Sequence, residues 1–76
     1  MPKMKELLPH LKRLRKARER FELAFEQDER GEWKDFTEDQ MDAVKAELTA
    51  ILSTITEESH WIEKHVPKHR WDEYLN

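Results

Sequence analysis

Two stretches of apolar residues at helical spacing, separated by the only glycine of the chain, limit the possible folds more than any other feature. The apolar positions of the first stretch are Met4, Leu7, Leu11, Leu14, Phe21 and Phe25. Those of the second stretch are Met41, Val44, Leu48, Ile51, Ile55 and Ile62. This spacing places apolar side chains on one side of an α-helix. The sequence therefore predicts an all-α fold built from two long amphipathic helices.

Proline and glycine set the predicted limits of the first helix. Pro9 is tolerated in a first helical turn but not in a helix interior, so the helix is expected to begin near residue 8, or to follow a separate short turn at 4–8. Gly31 can adopt the left-handed conformation that commonly ends a helix. These signals predict a helix at about 8–30 and a turn at 31–37.

A capping motif marks the start of the second helix. Thr37 followed three residues later by Gln40 has the form of a capping box, with Thr37 as the N-cap. Pro67 disfavours helical geometry at the residue before it and can open another helix. The sequence thus predicts a second helix at about 38–65 and a short third helix at about 68–75, all within one domain spanning 1–76.

A short connection between two long helices favours an antiparallel hairpin. Two helices cover only one side of each other, so either the C-terminal helix folds back or a second chain covers the open face, and a homodimeric four-helix bundle is the favoured arrangement. The residues predicted to form the core or dimer seam are Leu7, Leu11, Leu14, Arg18, Phe21, Phe25, Val44, Leu48, Ile51, Ile55 and Ile62.

Length and composition exclude several classes of function. The chain has 76 residues, 41% of them charged, and no cysteine, so disulfide scaffolds, zinc-thiolate fingers and cysteine nucleophiles are excluded. No glycine-rich phosphate loop or Ser-His-Asp spacing is present, so we expect no enzymatic activity and no cofactor. No apolar run is long enough for a membrane span and the N-terminus lacks a signal-peptide pattern, which favours a cytoplasmic location.

Charge is segregated along the chain. Residues 1–20 carry eight cations against two carboxylates, whereas residues 22–42 carry nine carboxylates against Arg30 and Lys34. A macromolecular partner responds to this local field more than to the net charge of −3. The candidate nucleic-acid contacts in the basic stretch, here called the basic flank, are Lys12, Arg13, Arg15, Lys16 and Arg20.

The acidic stretch at 22–42, here called the acidic tip, includes aromatic residues among its carboxylates. Exposed aromatic side chains are typical of interaction hot spots, although Trp33 and Phe36 can equally form a local lid over the end of the helices. The candidate protein-binding residues are Asp28, Glu29, Glu32, Trp33, Asp35, Phe36 and Asp39.

The histidines do not form a convincing metal motif. Glu57-x-x-His60 has the spacing used in di-metal helical bundles, but such bundles need the motif on two helices, and the first helix has no second copy. His65 and His69 are separated by Pro67 and do not share an undisturbed helical face. We therefore expect no metal ligands and interpret the histidines as surface or interface residues.

Two short motifs resemble a known family. The capping box at 37–40, followed by Val66-Pro67-Lys68-x-x-Trp71-x-x-Tyr74, resembles the spacing in the Hha family of small enterobacterial nucleoid modulators. The resemblance implies a short helical protein that binds a DNA-organising partner through acidic residues. The segment Ala43 to Ile55 departs from that family's pattern.

Three functional hypotheses follow. The leading one is a non-enzymatic regulator or inhibitor, of the kind common among phage and mobile-element proteins, that binds a macromolecular partner through the acidic tip. The first alternative is a nucleic-acid-associated or nucleoid-modulating regulator that uses the basic flank. The second alternative is a structural assembly adaptor that uses the apolar seams.

Overall fold

The computed structural model describes residues 1–75 and confirms the predicted all-α hairpin. Helix α1 (Met4–Glu29) and helix α2 (Glu38–His65) run antiparallel, and a 3₁₀ turn (Lys68–Arg70) leads into the short helix α3 (Trp71–Leu75). The molecule measures 48 × 20 × 19 Å, which is the elongated shape expected of two long helices packed side by side.

Helix α1 begins at Met4, earlier than the predicted start near residue 8, and contains Pro9. The Lys3 carbonyl accepts hydrogen bonds from the N–H groups of Glu6 and Leu7, at 2.9 and 3.1 Å. Pro9 has no N–H to donate to the preceding turn, so it costs one helical hydrogen bond there. Leu7 is fully buried, and its packing in the core explains why the first turn is helical despite Pro9.

Gly31 ends α1 as the sequence predicts. Its φ of 71° is left-handed, its N–H donates to the Asp28 carbonyl at 3.0 Å, and the N–H of Glu32 donates to the Gln27 carbonyl at 3.0 Å. These two bonds form a Schellman motif, which satisfies carbonyls at the end of the helix.

The capping box at the start of α2 is also confirmed. The Thr37 hydroxyl accepts from the Gln40 N–H at 3.2 Å, and the Gln40 side chain accepts from the Thr37 N–H at 2.8 Å. Helix α2 ends where Val66 takes an extended conformation before Pro67. The connection between α1 and α2 is therefore held by specific hydrogen bonds at both ends.

The hydrophobic core lies at the end of the hairpin that holds both termini. Its buried residues are Leu7, Leu11, Leu14, Ile62 and Val66, with Ile55, Trp61, Trp71, Tyr74 and Leu75 packed against them. The Trp71 indole N–H donates to the Val66 carbonyl at 2.8 Å and anchors α3 as it folds back. Helix α3 therefore supplies a third layer over this half of the hairpin.

The buried row of α1 differs from the predicted seam after Leu14. Ala17 and Ala24 are buried, whereas Arg18 is half-buried and Phe25 is 59% exposed. The buried alanines occupy the contact between the helices, and the larger side chains that follow each of them, Arg18 and Phe25, lie towards its edge. The remaining seam positions are half-buried because only one helix covers them: Phe21, Val44, Leu48, Ile51 and Ile55.

Candidate interaction surfaces

The acidic tip presents carboxylates and aromatic rings together. Phe25 and Phe36 are 59% and 39% exposed, and Trp33 is half-buried. Within residues 1–75, the one ion pair at this end joins Arg30 to Glu32 at 3.5 Å. The carboxylates predicted to bind a partner are all exposed: Asp28, Glu29, Glu32, Asp35 and Asp39.

Phe25 lies at the surface of the acidic tip, although the sequence predicted it in the core or dimer seam. Its ring packs edge-on against Phe21, with centroids 4.9 Å apart and an angle of 89° between the rings. The sequence does contain a signal for this placement. Arg18 lies seven residues earlier on the same side of α1. Its charge indicates that this side of the helix does not continue into a hydrophobic core.

The two helix ends that meet at the tip differ in their electrostatics. Glu38 and Asp39 lie in the first turn of α2, where the helix dipole stabilises negative charge. Asp28 and Glu29 lie in the last turn of α1, which contains no basic residue, and there the dipole disfavours negative charge. Helix stability therefore explains the carboxylates of α2 but not those of α1.

Two members of the basic flank are engaged by carboxylates of α2. Arg13 donates through Nε to Glu58 Oε1 at 2.6 Å, and Arg20 donates through Nε to Glu47 Oε1 at 2.7 Å. Lys12, Arg15 and Lys16 are exposed and belong to none of the ion pairs described for residues 1–75. The flank is thus partly neutralised by the neighbouring helix.

Glu58 is the centre of a polar cluster that the sequence did not reveal. It is 8% exposed and is the one buried charged residue within the described part of the chain. Besides Arg13, it binds His10, whose Nδ1 lies 2.6 Å from Oε2. An ionised carboxylate only accepts hydrogen bonds, so the proton of this bond belongs to Nδ1 of His10. Nδ1 therefore does not also accept from Arg13 Nη2, which lies 3.0 Å away.

The pKa of Glu58 reflects two opposing effects. Burial by itself raises the pKa of this carboxyl, because desolvation disfavours the charged form. The hydrogen bonds from Arg13 and His10, together with their charges, outweigh burial and hold the pKa below its ordinary value. Glu58 is therefore ionised at neutral pH.

Three aromatic rings stack beside this cluster. The His10 ring lies 3.6 Å from that of Trp61, at 11° to it, and His65 stacks on Trp61 at 4.4 Å and 19°. His65 Nδ1 also donates to the Trp61 carbonyl at 2.8 Å. The stack joins α1 to α2 near the core. No group of three or more His, Asp or Glu side chains placed to hold a metal ion occurs among residues 1–75.

Arg18, which the sequence placed in the core or dimer seam, is half-buried and contacts α3. Its guanidinium donates to the Leu75 carbonyl of α3, while Glu47 and Glu58 bind other arginines. Arg18 therefore ties α1 to the C-terminal helix.

No α-helix within residues 1–75 combines the length and the apolar character needed to cross a bilayer. No family model, curated protein or solved structure matches this chain. The resemblance to the Hha family therefore rests on the capping box and the 66–74 segment alone.

Proposed function

We propose that this chain is a non-enzymatic interaction module of the cytoplasm, a regulator or inhibitor that binds a positively charged protein surface through its acidic tip. The observation that carries the proposal is the exposure of Phe25 and Phe36 among carboxylates that have few cationic neighbours. Large exposed aromatic rings surrounded by polar groups are typical of binding hot spots.

The electrostatics of α1 support this use of the tip. Asp28 and Glu29 oppose the helix dipole, so they lower the stability of the free chain. A basic partner surface would remove this penalty and gain ion pairs with the same side chains. The arrangement therefore favours binding to a positively charged surface, with a higher association rate and a higher affinity.

The rigidity of the tip also supports the proposal. The Schellman motif at Gly31 and the capping box at Thr37 hold the two ends of the connection. Two further backbone bonds, from Lys34 to the Gly31 carbonyl and from Phe36 to the Trp33 carbonyl, order the turn between them. A surface that is ordered before binding loses less conformational entropy when a partner docks.

Affinity capture tests the proposal. The immobilised chain is incubated with lysate of its source cells, and captured proteins are quantified for the wild type and for the tip variant Phe25→Ser/Phe36→Ser. The matched control is Leu8→Ser/Leu52→Ser, because these leucines are 43% and 47% exposed but lie outside the tip. We expect the tip variant to retain at most about one tenth of the partner. Equal capture by the tip variant and the control would remove the tip as the binding site.

A second candidate function is contact with nucleic-acid phosphates, favoured by Lys12, Arg15 and Lys16, which are exposed and form no ion pair with another residue in the described range 1–75. Binding to duplex DNA at low salt is expected to weaken steeply as salt rises and to fail in the Lys12→Ala/Arg15→Ala/Lys16→Ala variant. Absence of DNA retention by the wild type at low salt would exclude this function.

Symmetric self-association through the half-buried seam on α2 is a third candidate function, separate from binding through the acidic tip. The predicted homodimer and the assembly-adaptor function both depend on this face. Sedimentation equilibrium measures the mass in solution, and a monomer at every concentration up to millimolar would exclude both.

A further inference from the structure

A groove between α1 and α2 lies beside the basic flank. It has a volume of about 360 Å³ and an apolar floor that includes Ala17, Ala50 and Ile51. Arg13, Lys16 and Arg20 line its α1 side. Because the alanine side chains are small, the groove has room for an apolar group of another molecule. The cationic side chains would lie beside that group.

The groove lies on the side of the hairpin away from α3. Arg18 contacts Leu75 of α3, whereas Lys16 and Arg20 line the groove. Residues two positions apart are about 200° apart around an α-helix. Helix α3 therefore covers one side of the hairpin and leaves the groove uncovered.

The charge of the groove selects the chemistry of its occupant. Glu47 is the one carboxylate in the lining, and Arg20 already binds it at 2.7 Å. Arg13 also binds a carboxylate, that of Glu58 at 2.6 Å. Among the described residues, the positive charges beside the groove that remain to attract negative groups are those of Lys16 and of Lys12, four residues earlier on the same side of α1. The matching ligand is an apolar side chain flanked by carboxylates on a helix.

The acidic tip carries a ligand of this description. Phe25 is 59% exposed, and Glu22, Asp28 and Glu29 are its neighbours three or four residues along α1. Side chains at these separations lie on the same side of a helix. All three carboxylates are exposed, so they can reach cations on another surface.

These two surfaces cannot meet within one chain, because both belong to the same continuous helix. We propose that Phe25 of one copy docks into the groove of a second copy, with Glu22, Asp28 and Glu29 facing Lys12 and Lys16 of that copy. This inference rests on the proposed function of the acidic tip and names a second copy of the chain as one of its partners.

The resulting contact is head-to-tail. Lys16 and Phe25 are nine residues apart, or two and a half turns, so they point to opposite sides of α1. A single symmetric contact between two α1 helices cannot use both surfaces. Each added copy therefore leaves one free groove and one free tip, and the assembly grows with concentration.

A mixing experiment distinguishes this contact from a symmetric dimer. The tip-blocked variant is Phe25→Ser, and the groove-blocked variant is Lys16→Glu/Ala50→Glu, in which all substituted residues are exposed. Leu52→Ser and Lys68→Glu serve as controls for the apolar and the charge change. Circular dichroism verifies that each variant retains its helical content.

Sedimentation equilibrium at low salt should show a wild-type average mass that rises with concentration and falls when salt is added. Each blocked variant alone should be monomeric, with association at least about tenfold weaker than that of the wild type. A mixture of the two should stop at a one-to-one dimer, since it contains one intact groove and one intact tip. Both controls should behave as the wild type.

Three results would overturn the inference: a wild type that stays monomeric, blocked variants that associate as the wild type does, or a mixture that stays monomeric. If the chain forms a symmetric four-helix bundle, the blocked variants should associate as the wild type does, which is the second of these results. Lysate capture by the groove-blocked variant keeps the two proposals separate. If the groove-blocked variant still captures a partner through Phe25 and Phe36 while the wild type itself stays monomeric, binding by the acidic tip stands and this inference fails.

Discussion

His10 of α1 donates from Nδ1 to Glu58 Oε2 of α2 over 2.6 Å, across 48 residues of sequence. The His10 ring simultaneously stacks on Trp61 at 3.6 Å. One side chain thus satisfies the buried carboxylate and covers an aromatic ring three residues further along α2. This contact holds α1 and α2 together beside the hydrophobic core.

Removing the buried carboxylate should destabilise the chain. We expect Glu58→Ala to lower the free energy of unfolding by about 1–3 kcal/mol, because Arg13 and His10 lose a charged hydrogen-bond partner. For a chain of this size that corresponds to a fall in Tm of at least about 4 °C. Thermal unfolding followed by circular dichroism at pH 7 measures the change. Glu57→Ala is the matched control, because Glu57 is exposed. Equal Tm values for the two variants would contradict the assigned role of Glu58.

Glu58 should also make stability depend on pH. Its pKa in the folded chain lies below the ordinary value of 4.5, so the unfolded chain binds its proton first as the pH falls. The stabilisation is therefore complete above about pH 4.5 and is lost as the pH falls through the folded pKa. Urea unfolding between pH 7 and pH 3 should show a steeper acid loss for the wild type than for Glu58→Gln. Parallel pH profiles for the two proteins would show that other carboxyls account for the acid sensitivity.

The two stacked histidines should contribute unequally. His10 stacks on Trp61 and binds the charged Glu58, whereas His65 is exposed, stacks on Trp61 and donates only to the uncharged Trp61 carbonyl. We expect His10→Ala to cost at least about 1 kcal/mol more than His65→Ala, since it also removes a hydrogen bond to a charged group. Chemical denaturation of the two variants at pH 7 measures the difference. A larger loss for His65→Ala would mean that stacking, and not the Glu58 bond, is the main contribution of these rings.

Charge reversal at the acidic tip should have opposite effects on its two helices. Glu29→Lys places a cation at the C-terminal end of α1 and should raise the free energy of unfolding by about 0.3–1 kcal/mol. Glu38→Lys places a cation at the N-terminal end of α2 and should lower it by a similar amount. Thermal unfolding at low salt tests both, and high salt should reduce both effects. If both variants lose stability equally, side-chain contacts and not the helix dipoles decide the outcome.

Gly31 should resist substitution for a conformational reason. A Cβ atom at this position would meet no atom within 4 Å, so space is not limiting, but the φ of 71° is unfavourable for other residues. We expect Gly31→Ala to cost about 1 kcal/mol and Gly31→Asn to cost less, because asparagine tolerates the left-handed region. Denaturation midpoints of the two variants provide the comparison. An unchanged midpoint for Gly31→Ala would show that the connection readjusts to a different cap.

The sequence predicted the helices better than it predicted their contacts. The ends at Gly31, Thr37 and Pro67 depend on residues within about one turn of each other, and all three are where the local signals placed them. The start of α1 at Met4 is different, because it depends on the burial of Leu7 against α2 and α3. The conformational preference of Pro9 alone gives no information about that burial.

The candidate surfaces show the same division. The exposed carboxylates of the tip follow from composition and position along the chain. The placement of Phe25 at the surface required the actual packing of α1, in which Ala17 and Ala24 face α2. The groove with its cationic side likewise depends on the packing of the two helices, since its lining comes from both α1 and α2 while α3 occupies the other side.

By itself, the sequence determined the two helices, their caps and the segregation of charge, because each depends on neighbouring residues and on amino-acid type. Only the tertiary structure decided which charges are neutralised and which remain available. Arg13 and His10 are separated from Glu58 by 45 and 48 residues, and a pairing of that range depends on the rotation and register of two packed helices.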